Sequence, residues 1–328
     1  MEIVYLLFGG VLLWFGSDWI VESASAIART FRVSELVIGL TIVAMGTSAP
    51  EFLVTLLAAL KGLADISLAN VVGSNVFNLG IILGFIACIT PITAHASIVR
   101  RDVPLLFGVC LFLVVASLDL RLDRLEGAIL AGVFISYLGW LLFQARRQRD
   151  VRDAVCAEGR TPEGAPCPDT AAGAQADGTQ RPAAWWDYPR LALGFGALAL
   201  GSDLLVDGAS AIAGAFGVSD WAIGLTIVAA GTSLPELFTA VAAAHKGKND
   251  MLLGNLVGSD LFNLTGVLGL TCLLRPLRVA PSTLPGMYAM AAFLAVVMVC
   301  VLTRRRISRL EGALFVLMGL ARWAMALL

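Results

Sequence analysis

A chain of 328 residues, 58% hydrophobic and 14% charged with a mean hydropathy of +0.85, is too apolar for an ordinary soluble domain and reads as an all-α polytopic membrane protein. A net charge of −1 leaves no basic surface to neutralise phosphates, which excludes a nucleic-acid partner. Only two histidines, His95 and His245, and six scattered cysteines without a CxxC pair argue against a zinc centre and against the nucleophile–base or metal set of an intramembrane enzyme.

In chain order, Met1 and Glu2 lead directly into an apolar run without the basic region and cleavage site of a signal peptide, so the first helix is expected to be retained. Apolar segments of spanning length cover 3–27, 35–60, 67–90, 103–118 and 125–143. Residues 144–186 then break the pattern with QARRQRD and an Ala/Gly/Pro/Asp-rich tract that cannot bury a core, the composition of a disordered linker. Five more segments follow at 188–214, 221–246, 250–273, 284–303 and 309–327. The expected organisation is a first repeat over 1–143, a linker over 144–186 and a second repeat over 187–328.

The two halves are copies at an offset of 185 residues. Gly16-Ser17-Asp18 matches Gly201-Ser202-Asp203, Lys61-Gly62 matches Lys246-Gly247, and Leu125-Glu126-Gly127-Ala128 matches Leu310-Glu311-Gly312-Ala313. An odd number of spans in each half makes the second enter the membrane in the opposite direction, so ten transmembrane helices form two inverted five-helix repeats. Loop charge orients them: with the N-terminus outside, seventeen Lys and Arg fall on the cytoplasmic side against five outside, or ten against five without the linker. Both termini are therefore expected outside and the linker in the cytoplasm.

The strongest repeat is Ile38 to Glu51 (IGLTIVAMGTSAPE) against Ile223 to Glu236 (IGLTIVAAGTSLPE), identical at twelve of fourteen positions. A carboxylate at membrane depth costs about 2.5 kcal/mol or more, so Glu51 and Glu236 need partners or a bound cation. Pro50 and Pro235 cannot donate to the carbonyls four residues earlier, which frees the carbonyls of Gly46 and Gly231 beside the hydroxyls of Thr47, Ser48, Thr232 and Ser233. Interrupted helices at matching positions of two halves point to a transporter's binding site.

A second pair, ANVVGSNVFNLG (69–80) and GNLVGSDLFNLTG (254–266), places Ser74 four residues from Asn78 and Ser259 four from Asn263, on one helical face. Small and amide residues also serve plain helix packing, but their pairing with the carboxylate stretch in both halves favours a site. All candidate ligands are hard oxygens, which suits Ca²⁺, Na⁺ or Mg²⁺, and a jointed site of flexible geometry favours calcium and sodium. The acid pairs Asp18/Glu22 and Asp203/Asp207 are repeat-matched and read either as an ion vestibule or, preferably, as interfacial caps or partners of nearby arginines.

These motifs resemble the cation/calcium exchanger superfamily, and within it the prokaryotic sodium/calcium exchangers (calcium/sodium antiporters). GTSAPE and GTSLPE are similar to the signatures of its two alpha-repeats, here 38–80 and 223–265, and GSNVFN and GSDLFN to their second halves. The resemblance implies that Glu51 and Glu236 are central calcium ligands shared with a sodium site. Thr47, Ser48, Thr232, Ser233, Ser74, Ser259 and the carbonyls of Ala44 and Ala229 would complete the calcium and sodium sites, with Asn78 alongside and the first and sixth helices sliding across them. Some members, potassium-dependent exchangers among them, carry aspartate where this chain has Asn263, which lowers the expectation of potassium coupling. Asp260, where the first half has Asn75, receives no role.

The expected function is a secondary antiporter of the bacterial inner membrane that exports Ca²⁺ against Na⁺ by alternating access. It is not an enzyme, has no cofactor beyond its transported ions, and needs the bilayer but no obligate protein partner. A proton/calcium exchanger is the alternative; a channel is a third option. Glu51 and Glu236 supply two negative charges and Asn78 and Asn263 none, so one Ca²⁺ would neutralise the site, while the three Na⁺ that the resemblance implies would leave it at plus one.

Overall fold

The computed structural model describes residues 2–157, 182–217, 229–281 and 283–327. The fold is helical: α1 (Glu2–Thr30), α2 (Glu35–Thr47), α3 (Ala49–Leu60), α4 (Ala64–Val76, continued through Phe77–Ile82 to Leu83–Ile89), α5 (Val103–Ala116) and α6 (Arg124–Ala157). After the undescribed stretch come α7 (Asp187–Ala215), α8 (Leu234–His245), α9 (Asn249–Leu261, continued through Phe262–Val267 to Leu268–Leu274), α10 (Leu284–Arg304) and α11 (Arg309–Leu327).

Among the described residues, seven helices are long and apolar enough to cross a membrane, or eight if the bent pair α2–α3 is one span. Exposed Ile3, Leu7, Phe8, Trp14 and Phe15 along α1 fit a lipid-facing surface. The two most enclosed spans are Ile66–Ile89 and Asn249–Leu274, with 67% and 78% of their apolar windows buried, so α4 and α9 form the centre of the bundle.

Two departures from the sequence reading concern boundaries. The helix expected to end at 143 runs on to Ala157, because QARRQRDVRDAVCA contains no glycine or proline and its Arg, Gln and Ala residues favour helix. The expected linker therefore loses its first part to α6, and its remainder over 158–181 lies outside the described residues. The span expected over 221–246 also lies partly outside them; what is described is a short turn at Ala229–Gly231 followed by α8.

Contacts between the halves are reciprocal. Four two-residue strands pair antiparallel as β1 (Ile92–Thr93) with β4 (Arg306–Ile307), and β2 (Arg121–Leu122) with β3 (Leu277–Arg278). Each ribbon takes one strand from each half. The helices α1 and α7 approach at glycines: a Cβ on Gly9 would sit 2.8 Å from the Gly201 carbonyl oxygen, and one on Gly201 would sit 2.9 Å from that of Gly9. Gly16 and Gly194 repeat this at 3.0 Å in both directions. Without a solvent-driven hydrophobic force between helices in lipid, such backbone contact is how a pair associates.

Candidate functional site

Both carboxylates stand just after a break. α2 ends at Thr47, Ser48 leaves helical geometry (φ −83°, ψ 9°), and α3 restarts at a 48° bend with Pro50 in its first turn. In the second half Ser233 (φ −95°, ψ 8°) precedes α8, with Pro235 in its first turn. Proline is tolerated there because the first-turn N–H groups have no intrahelical acceptor. Glu51 and Glu236 consequently occupy the first turn of a helix, where backbone N–H groups favour negative charge, and not the middle of one. Of the carbonyls freed by proline, that of Gly231 accepts the hydroxyl of Ser202 from α7.

The carboxylates are held crosswise. The Ser48 hydroxyl donates to Glu236 Oε1 at 2.7 Å, and the Ser233 hydroxyl donates to Glu51 Oε1 at 2.9 Å. Each glutamate is 0% exposed, and each leaves Oε2 without a hydrogen bond. Buried polar atoms are nearly always paired, so two unpartnered carboxylate oxygens in a closed interior are candidate cation ligands.

Around them, Ser259 Oγ lies 3.4 Å from both the Ala44 carbonyl and Glu236 Oε1. The Ala44 carbonyl also faces Thr47 Oγ1 at 3.3 Å, and Thr47 reaches Asn255 Oδ1 at 3.3 Å. Ser74 donates to the Asn70 carbonyl at 2.9 Å and lies 3.4 Å from the Asn263 amide nitrogen. Asn78 and Asn263 are fully buried at the start of matching π-helical segments, Phe77–Ile82 and Phe262–Val267, where the i→i−4 ladder is broken. Thr232 lies half-buried in the turn before Ser233, and Ala229 opens the short helical turn. The structure thus brings Thr47, Ser48, Glu51, Ser74 and Asn78 together with Ser233, Glu236, Ser259 and Asn263.

Three residues enter that the sequence reading passed over. Asp260 is 0% exposed and bonded by Asn78, so counting charge from Glu51 and Glu236 alone was incomplete: a third carboxylate lies in the same interior. Asn70 donates to the Glu51 carbonyl at 3.3 Å and to Thr55 at 3.0 Å, and its repeat counterpart Asn255 accepts from Thr47. Their signal was available, since Asn70 and Asn255 open the second motif in both halves. Among the described residues, no group of three or more His, Cys, Asp or Glu converges as a metal cluster. The candidate ligand set is dispersed carboxylate, hydroxyl, amide and carbonyl oxygen, which suits hard cations.

Outside this interior, Asp18 and Glu22 take Lys246 as partner, and Glu22 also takes Arg190. His95 is exposed beside Ser97, and His245 lies in the last turn of α8.

Comparison with known proteins finds relatives over nearly the whole chain. Residues 1–143 and 188–320 match the family described as sodium/calcium exchanger protein. The chain is 34% identical over 306 residues to the inner membrane protein YrbG of Escherichia coli, covering 92% of this chain and 88% of that one. It is 33% identical to the sodium/calcium exchanger MaX1 of Methanosarcina acetivorans, covering 98% and 97% of the two chains. A solved structure of the sodium-calcium exchanger NCX_Mj superposes with a TM-score of 0.80 at 30% identity, covering 98% of this chain and 97% of that one. A twofold repeat of broken helices, crossed Ser–Glu pairs and a family match spanning both halves lead to one conclusion: the chain belongs to the sodium/calcium exchanger family.

Proposed function

We propose that this chain is a ten-span antiporter of two inverted five-helix repeats, 1–143 and 187–328, which exports Ca²⁺ in exchange for Na⁺ by alternating access. The observation that carries the reading is the crossed pair Ser48–Glu236 and Ser233–Glu51, with Oε2 of each glutamate left without a partner. Two carboxylates offer Ca²⁺ charge compensation in a low-dielectric interior. Calcium accepts six to eight oxygens, so Ser48, Ser233, Ser259, Thr47, Thr232 and the carbonyls of Ala44 and Ala229 would supply neutral ligands. Ser74, Asn78 and Asn263 would extend the ligand set towards sodium. One set of oxygens cannot coordinate Ca²⁺ and its sodium replacements together, so the ions compete, and competition within a site that opens to one side at a time couples the fluxes.

The orientation proposed from loop charge places both termini outside, in a bacterial inner membrane, with the segment after α6 in the cytoplasm. Neutral hydroxyl ligands favour sodium over proton as the driving ion, because proton exchange needs only the carboxylates.

The test is Ca²⁺ flux in proteoliposomes of the purified chain under an imposed Na⁺ gradient or an imposed pH gradient. Uptake driven by sodium at constant pH supports the proposal. Uptake driven by the pH gradient alone replaces it with proton/calcium exchange, and leakage down the calcium gradient with neither would make the chain a channel.

A further inference from the structure

The repeat sets a hydrogen-bond donor of α6, and its counterpart on α11, against the start of the preceding helix, and only one of the two donors meets an acceptor. In the first half the donor is Tyr137, whose hydroxyl bonds Asp102 Oδ1 at 2.9 Å. Asp102 is 0% exposed and also takes Arg101, through Nε at 2.5 Å and Nη2 at 2.8 Å, so its buried charge is neutralised within the chain. At the same offset of 185 residues, the counterparts of Arg101, Asp102 and Tyr137 are Gly286, Met287 and Arg322. Here the cation comes from the later helix. Arg322 lays its guanidinium against Gly286, where a Cβ would stand 2.5 Å from Nη2. The carboxylate position is now Met287, which is fully buried and has no side-chain oxygen.

The second half thus keeps the donor and lacks the acceptor. Arg322 Nε is enclosed without a hydrogen-bond partner, and among the described residues the side chain makes neither a hydrogen bond nor an ion pair. A guanidinium presents its N–H groups as a planar fork that fits two oxygens of a carboxylate or a phosphate. Water supplies oxygen without charge; an anion supplies both.

Position selects the anion. Arg322 lies about 20 Å along α11 from Arg309, its first residue, and Gly286 is in the first turn of α10. The guanidinium therefore sits at the end of the bundle opposite Arg304 and Arg309, near the level at which a span of this length leaves the hydrocarbon. Leu314, Leu317 and Leu320 of α11 are exposed, an apolar surface for acyl chains below that level. At the boundary between hydrocarbon and water, the anion always at hand is the lipid phosphate. A headgroup with net negative charge fits better than a zwitterionic one, which brings its own cation to compete for the phosphate.

We infer that Arg322, at the contact of α10 and α11, binds the phosphate of an anionic phospholipid, which takes the place that the Asp102 carboxylate holds in the first half. The inference requires the chain to span a bilayer and is independent of which ions it exchanges.

The test uses the purified full chain in neutral detergent with phosphatidylglycerol, phosphatidylcholine or inorganic phosphate added. It reads the thermal unfolding midpoint and, by native mass spectrometry, the lipid retained. Phosphatidylglycerol is expected to raise the midpoint by a few degrees, and to be retained, at concentrations where phosphatidylcholine does neither. In Arg322→Gln the apparent affinity for phosphatidylglycerol should fall roughly 10- to 100-fold, the loss of a charge-assisted contact. Equal stabilisation of the unsubstituted chain and Arg322→Gln by phosphatidylglycerol overturns the inference, as does an equal response of the unsubstituted chain to phosphatidylcholine. Inorganic phosphate that reproduces the shift in the unsubstituted chain would assign the guanidinium to a soluble anion and overturn the lipid reading. If Arg322→Gln does not accumulate, Met287→Asp supplies the missing carboxylate from within the chain. It should abolish the response to phosphatidylglycerol while Arg322 stays in place, and a response that persists in it counts against the site.

Discussion

The acid pair Asp18/Glu22 on α1 and its counterpart Asp203/Asp207 on α7 have the same spacing and opposite surroundings. Lys246, after α8, sits 2.5 Å from Asp18 and 2.7 Å from Glu22, and Arg190 adds a second cation 2.7 Å from Glu22. Lys61, the repeat counterpart of Lys246, makes no ion pair among the described residues, and Asp203 and Asp207 are exposed. Ser17 follows suit by bonding the Trp14 carbonyl of its own helix, whereas Ser202 reaches across to the Gly231 carbonyl. The two halves thus give the same acid spacing different partners, cations at one end of the α1–α7 pair and solvent at the other, while the two helices stay in close backbone contact at Gly9/Gly201 as well as at Gly16/Gly194. Arg190 has Tyr5 as its repeat counterpart, so part of this difference is written in the sequence, and the rest lies in which side chains Lys246 and Lys61 meet.

The strongest way to break this comparison is at its symmetric centre. Glu51→Gln and Glu236→Gln are expected to lower sodium-driven calcium flux at least ~100-fold, and equally, because each leaves a divalent ion undercompensated in a low-dielectric site. Radiolabelled calcium uptake in proteoliposomes measures it, and a large inequality between the two would mean that the halves contribute unequally to the site.

Ser48→Ala and Ser233→Ala each remove the hydroxyl that the other half's glutamate accepts. Losing one such hydrogen bond to a charged group is worth about 1.5–3 kcal/mol, so calcium affinity by isothermal titration should fall roughly 10- to 100-fold in either variant. The crossed geometry would be contradicted by a double variant Ser48→Ala/Glu236→Gln whose loss equals the full sum of the single losses.

At the asymmetric ends, Lys246→Ala should weaken the clamp on α1 while Lys61→Ala does little. The bridged side chains are partly exposed, so the network contributes about 1 kcal/mol or less per pair, and the expected change in apparent calcium affinity is ~2- to 5-fold for Lys246→Ala alone. Equal effects of the two substitutions would show that the observed asymmetry has no bearing on transport. Raising the ionic strength should reduce the Lys246→Ala effect, since exposed pairs are screened.

The smallest effect is expected from the stretch between the halves. Replacing residues 158–181 by a Gly/Ser chain of equal length should leave sodium-driven flux within about twofold, because such a linker supplies reach without contacts. Complete loss of flux from a stably expressed variant would give that stretch a docking or regulatory part in the cycle.

The helical class, the internal sequence repeat and the oxygen-bearing residues that the fold later gathers were readable from the amino-acid sequence, because each depends on local pattern. Apolar runs of spanning length, an offset of 185 residues, and proline placed just before a carboxylate report themselves wherever the chain later folds. What needed tertiary structure were the partners. The Ser48–Glu236 and Ser233–Glu51 bonds join residues 188 and 182 positions apart, and spacing along a helix names a face without naming what it meets. Asp260 could be seen in the sequence as a difference from Asn75, but the hydrogen bond it accepts from Asn78 became visible only when α4 packed on α9. The unequal fates of Lys246 and Lys61 lie furthest from sequence, since both occupy the same place in the repeat and only the packed structure shows which of them reaches an acid pair.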